Sequence, residues 1–89
     1  MDVLDKSFES AIQIVNNLKV KPNDNELLTV YGLFKQSKFG DNNTDKQGFF
    51  DFKGCKKWDA WESQKGKSQN EAKQEYINLA MELFKTYGK

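Results

Sequence analysis

Asn23-Asp24-Asn25-Glu26-Leu27-Leu28-Thr29-Val30-Tyr31-Gly32-Leu33-Phe34-Lys35-Gln36-Ser37-Lys38-Phe39-Gly40 reads as one helix with both ends marked. Asn23 is a candidate N-cap, and Glu26 three residues later completes a capping box. Leu27, Leu28, Tyr31, Phe34, Lys35 and Lys38 share the helix that follows. Gly40 is a natural residue just past its end. The flanking segments repeat this grammar. Upstream, Phe8, Ala11, Ile12, Val15 and Leu18 fall on one stripe at helical spacing, with Asp2 and Asp5 near its start and Pro22 closing it. Downstream, a short helix is predicted to begin around Gly54, to carry Trp58 and Trp61 one turn apart, and to end at Gly66. Ser68-Gln69-Asn70-Glu71 is a second capping box, and Ala72, Tyr76, Leu79, Ala80, Leu83 and Tyr87 form the inner stripe of the last helix. No strand-like alternation of useful length is present, so the reading is all-α with four helices.

Residues 40–53 break the pattern. They carry Gly, Asp, Asn and Thr and read as a long loop pinned by Phe49, Phe50 and Phe52. Asp41-Asn42-Asn43-Thr44-Asp45 imitates the start of a calcium loop. The match fails where geometry is strict: the sixth position is Lys46, not Gly, and the twelfth is Phe52, not Glu.

The chain has 89 residues, which suits one small domain spanning 1–89. Aromatics at 13 % supply bulk for a compact core. The single Cys, Cys55, cannot form an intramolecular disulfide and reads as a packing residue, a usage that fits the cytoplasm. There is no His, which excludes Ser/His and Cys/His nucleophile pairs and leaves no zinc site. All 14 basic side chains are Lys, which disfavours sequence-specific nucleic-acid reading. The formal net charge is +1, so no global field draws the chain to nucleic acid or membrane. The distribution is uneven: residues 1–30 hold 3 Lys and 5 acids, and residues 31–67 hold 8 Lys and 5 acids. No apolar run reaches the length of a membrane span, and the N-terminus lacks the apolar region of a signal peptide.

The sharpest constellation is Tyr31 with Lys35 four residues on, one above the other on a helix. A phenol and an ammonium on one face can clamp a phosphate if a further Lys arrives from another helix, and Lys53, Lys56 and Lys57 are candidates. The same spacing also fits a Tyr at the core edge beside a solvated Lys. Spacing leaves both readings open.

Three segments together carry a resemblance: Tyr31-Gly32-Leu33-Phe34-Lys35-Gln36, Gly40-Asp41-Asn42-Asn43-Thr44, and Asp51-Phe52-Lys53-Gly54-Cys55-Lys56-Lys57-Trp58-Asp59-Ala60-Trp61. With Lys21-Pro22 and Lys85-Thr86-Tyr87-Gly88, they make the chain similar to the acyl-CoA-binding protein family from about Phe8 to Gly88. The resemblance implies an up-down-down-up four-helix bundle with a long crossover between helices two and three. It implies non-catalytic binding and intracellular carriage of medium- to long-chain acyl-CoA, one ligand per monomer, without cofactor or metal. Stable membrane insertion and nucleic-acid binding are not implied; transient contact with membranes or acyl-CoA-using enzymes is. By position, Tyr31, Lys35 and Lys57 would hold the CoA 3′-phosphate and Tyr76 would pack by the adenine and ribose. Lys21, Phe34 and Lys53 fall around the head group, while Ile12, Pro22, Leu27 and Leu28 would line the acyl groove. Phe8, Trp58, Ile77 and Leu83 match structural positions.

The chain also departs from the family pattern. Asn16 stands where a Lys often contacts phosphate. Phe34 replaces a frequent Tyr, Lys56 replaces a small apolar residue, Gln47 replaces a Pro, and Cys55 replaces a Lys. A reading from another class is a small helical interaction module that docks an acidic partner by its Lys-rich face.

Overall fold

Each helix begins where a short polar side chain can satisfy the orphan backbone N–H groups of its first turn. The computed structural model describes residues 2–46 and 51–88. Helix α1 spans Val3–Asn16, and Asp2 caps it by accepting the Asp5 N–H at 2.8 Å. It stops short of Leu18 because the Asn17 side chain donates to the Gln13 carbonyl and closes the last turn. Helix α2 spans Asp24–Phe39, with the Asn23/Glu26 capping box formed in both directions at 2.9 and 3.0 Å. Helix α3 spans Phe52–Glu62, beginning two residues before the predicted Gly54. The reason is Asp51, whose carboxylate accepts the Gly54 N–H. Phe52, expected to pin the loop, is instead the first residue of α3 and is 77 % exposed. Phe49, Phe50 and Gln47 lie outside the described residues. Helix α4 spans Gln69–Tyr87 and starts at the predicted Ser68/Glu71 capping box.

Side-chain contacts fix the relative directions. Lys73 pairs with Asp5 at 2.7 Å, and Tyr76 meets Phe8 edge-on at 5.1 Å, so α4 runs parallel to α1. Gln69 donates to the Ser37 and Lys38 carbonyls, while Tyr87 donates to Glu26 Oε1 at 2.6 Å. Contacts that pair the start of one helix with the end of the other make α2 antiparallel to α4. Lys57 lies by Tyr31 and Trp61 by Phe39, so α2 and α3 are parallel. The topology is therefore up-down-down-up. Parallel neighbours cannot be joined by a tight turn, which accounts for the long connection after α2.

The core lies between α1, α2 and α4. Phe8, Ala11, Leu33, Ala72, Tyr76 and Ala80 are all at most 3 % exposed. Burying a side chain such as Leu33 or Phe8 contributes about 1.5–3 kcal/mol each. Trp61 joins the buried set at 7 % exposure, its indole N–H donating to the Gly40 carbonyl at 2.9 Å. Trp58, one turn before it, is only half-buried; its N–H reaches Thr44 O at 3.3 Å and Lys46 covers its ring.

The loop's polar residues hold the loop itself. Asp41 accepts from the Gly66 N–H at 2.9 Å and from Gln36 Nε2 at 2.8 Å, and these bonds keep its carboxyl below the usual carboxylate range. Asn42 accepts from both the N–H and the hydroxyl of Thr44. Gly66, at φ +98°, makes the turn that presents its N–H to Asp41.

At Gly32 a Cβ would lie 2.3 Å from the Ala60 carbonyl oxygen of α3. Gly32→Ala should therefore force α2 and α3 apart and destabilise the protein by about 1–3 kcal/mol, the usual cost of overpacking. Urea unfolding measures this; an unchanged midpoint would show that the helices do not meet there.

Candidate functional site

The parallel pair α2 and α3 leaves a groove between its N-terminal halves, a cavity of about 600 Å³. One wall is the α2 stripe Asp24, Leu27, Leu28 and Tyr31, at helical spacing i, i+3, i+4, i+7. The other is the first turns of α3: Phe52, Lys53, Lys56 and Lys57. Lys21 closes one end from the α1–α2 connection. That connection is tied down at Val20, whose N–H donates to the Tyr87 carbonyl at 3.1 Å.

Two ammonium groups lie near the Tyr31 ring. Lys57 Nζ is 5.4 Å from its ring centroid and Lys35 Nζ is 5.9 Å. Lys35 is held further by Phe39 and Trp61, at 4.7 and 5.1 Å from those centroids. An aromatic face attracts a cation through its quadrupole without neutralising it. The three rings therefore position the Lys35 charge and leave it available.

The distribution of ion pairs leaves this groove with an excess of positive charge. Lys38, Lys46, Lys65, Lys67, Lys73 and Lys85 each have a carboxylate partner. The other described lysines are Lys6, Lys19, Lys21, Lys35, Lys53, Lys56 and Lys57, and the last five named line the groove or flank Tyr31. A near-neutral chain thus gathers five of its seven described unpaired lysines around one groove. Beside them lies an apolar floor of Leu27, Leu28 and Phe52. The chemistry on offer is recognition of a polyanion with an apolar tail.

Among the residues named from sequence, Lys21, Leu27, Leu28, Tyr31, Lys53 and Lys57 line the groove, and Lys35 flanks it through Tyr31. The structure does not bring Asn16, Phe34 or Tyr76 to its walls. Asn16 is the exposed last residue of α1. Phe34 stacks on Phe8 at 6.3 Å and faces the core. Tyr76 is 3 % exposed, and burial pushes its hydroxyl up to about 12. Ile12 packs against the core and Pro22 is buried; neither lines the groove. Asp24 and Phe52 were not anticipated. With Asp51 taken as an N-cap, residues 52, 53, 56 and 57 fall on one face of α3, a signal that an apparent loop concealed.

The family model described as acyl CoA binding protein matches residues 5–80. Acyl-CoA-binding protein homolog 1 of Caenorhabditis elegans is 48 % identical over 82 residues, covering 92 % of this chain and 95 % of that protein. The acyl-CoA-binding protein of Saccharomyces cerevisiae is 48 % identical over 80 residues, covering 90 % of this chain and 92 % of the other. The crystal structure of Oryza sativa acyl-CoA-binding protein 2 superposes with a TM-score of 0.87 at 34 % identity, covering 93 % of this chain and 92 % of that one. The solution structure of the yeast protein gives 0.73 at 46 % identity, covering 92 % and 95 %.

Lysines kept for a ligand should not stabilise the fold. Lys57→Met retains an apolar stem and removes one of the two charges facing Tyr31. Its unfolding free energy should be unchanged or raised by up to about 1 kcal/mol at low salt, with the gain shrinking as salt is added. A loss above that size in urea unfolding would make Lys57 a structural residue.

Proposed function

The chain belongs to the acyl-CoA-binding protein family, and from that premise we propose that it binds fatty acyl-CoA esters in the α2–α3 groove, one per molecule. Tyr31, Lys35 and Lys57 hold the 3′-phosphate of the CoA ribose. Lys21 and Lys53 face the remaining phosphates, and Leu27 and Leu28 shield the acyl chain. The observation that carries this reading is the collection of five unpaired lysines around one apolar groove.

The energetics divide between the two ends of the ligand. Hydrogen bonds to a charged group are worth about 1.5–3 kcal/mol each. Each buried CH₂ adds about 0.8 kcal/mol, so ten sequestered methylenes supply roughly 8 kcal/mol. Association and ordering cost a comparable amount. Neither end suffices alone, which makes the intact thioester the preferred ligand over CoA or a free fatty acid.

The protein binds and does not catalyse. With no His in the sequence, it lacks the usual general base for thioester hydrolysis. A carrier of this kind acts as a cytoplasmic monomer that meets membranes and acyl-CoA-using enzymes transiently. No helix among the described residues is long and apolar enough to cross a membrane.

Calorimetry should give one palmitoyl-CoA per chain, bound far more tightly than CoA or palmitate. Lys35→Ala and Lys57→Ala should each weaken binding by about 1.5–3 kcal/mol. The 3′-dephospho ester should also bind more weakly, and the same mutations should then have little further effect. Full additivity of mutation and phosphate removal would show that these lysines do not touch that phosphate. Equal affinity for palmitate and palmitoyl-CoA would overturn the reading as a whole.

A further inference from the structure

A second cavity, of about 410 Å³, adjoins the groove, and the two share Leu28 and Lys56. On α2 its wall is Asn25, Leu28 and Thr29, the stripe next to the one that lines the groove. On the α3 side the lining continues from Lys56 through Asp59 to Ser63 and Gln64, just past the end of the helix. From Phe52 to Glu62 the helix rises about 15 Å at 1.5 Å per residue. That is the scale of a long acyl chain. The large apolar side chains thin out along it: the groove has Leu27, Leu28 and Phe52 among its charges, whereas the second cavity has Leu28 and Ala60 among amides, hydroxyls, Lys56 and Asp59.

We propose that the second cavity receives the distal end of acyl chains that carry a terminal carboxylate, with Lys56 as the residue that recognises it. The inference rests on the acyl-CoA reading and adds a ligand class to it. Lys56 stands at the junction of the two cavities, its ammonium 4.9 Å from the Phe52 ring centroid. It has no carboxylate partner among the described residues. The acid of the second cavity, Asp59, is already paired with Lys46 at 2.8 Å, so its charge does not cancel that of Lys56. The Gln64 side-chain oxygen accepts from Lys67 Nζ at 2.6 Å, which leaves its amide nitrogen as a second donor. The Thr29 and Ser63 hydroxyl protons are spent on the Asn25 and Ala60 carbonyls, so these two do not contribute donors.

A terminal methyl group gains little from such surroundings. A terminal carboxylate would be costly to bury in an apolar pocket, but here it meets an unpaired ammonium. The geometry thus favours mono-CoA esters of long dicarboxylic acids as ligands alongside ordinary fatty acyl-CoA.

The test is calorimetric titration of the full chain with palmitoyl-CoA and with the mono-CoA ester of hexadecanedioic acid. The variant is Lys56→Met, which keeps the apolar stem and removes the charge. The wild type should bind the diacid ester within about tenfold of palmitoyl-CoA, because the ammonium offsets most of the cost of burying the carboxylate. In Lys56→Met, the diacid ester should lose about fivefold more affinity than palmitoyl-CoA does, the upper reach of a partly exposed ion pair. A wild-type penalty above tenfold, or a variant that does not weaken the diacid ester selectively, would overturn the proposal while leaving the acyl-CoA reading in place. Failure of both esters to bind would remove that reading and this inference with it.

Discussion

At Gly32 the backbone of α2 comes so near the Ala60 carbonyl of α3 that a methyl group would collide with it. Much of the site follows from this approach. It places two helices side by side in parallel, and parallel helices need a long connection. The connection is held by its own polar residues, with Asp41 bridging Gln36 to the Gly66 turn. Because α2 and α3 meet near Gly32, their N-terminal halves are left to form the walls of an open groove. The side chains of those halves, Leu27, Leu28, Tyr31, Lys53 and Lys57, are thereby turned toward one another.

The remaining helices stabilise this pair without entering the groove. Helix α4 packs its buried stripe against α1 and α2, and Tyr87 anchors its last turn to Glu26 at the first turn of α2. The aromatic trio Phe8, Phe34 and Tyr76 gives the core its bulk. The core and the groove are therefore separated in space. The core is apolar and closed, while the groove keeps unpaired like charges close together. Such charges repel, and a fold selected for stability alone would have paired or dispersed them. Their retention in one place, with Lys35 held by aromatic rings, is what supports the proposal of an anionic ligand there.

Much of the architecture was legible from local rules. Both capping boxes formed as the sequence predicted, because a cap is a contact between residues three apart and needs no tertiary context. The buried stripe of α4 was equally readable from its period. The start of α3 was not, because Asp51 sits at the end of a stretch whose Gly, Asn and Asp content masks an N-cap among many turn formers. Phe52 misled for a related reason: an aromatic in a loop suggests an anchor, whereas at the first position of a helix it can face outward. The meeting of Tyr31 with Lys57 is a tertiary fact. Tyr31 and Lys35 were visible as an i, i+4 pair, but the third member depends on how α3 is set against α2. Tyr76 packs in the core here, and its place beside the adenine and ribose rests on the family resemblance.

The central claim is that one ligand occupies the face formed by α2 and α3. Amide chemical shifts of isotopically labelled protein, followed during titration with palmitoyl-CoA, test it most directly. The account predicts that changes saturate at one equivalent and concentrate at Lys21, Leu27, Leu28, Tyr31, Lys35, Lys53 and Lys57. The outer surface of α1, around Lys6 and Ser10, should be unaffected. Changes centred on α1 and α4, with the α2–α3 groove silent, would contradict it.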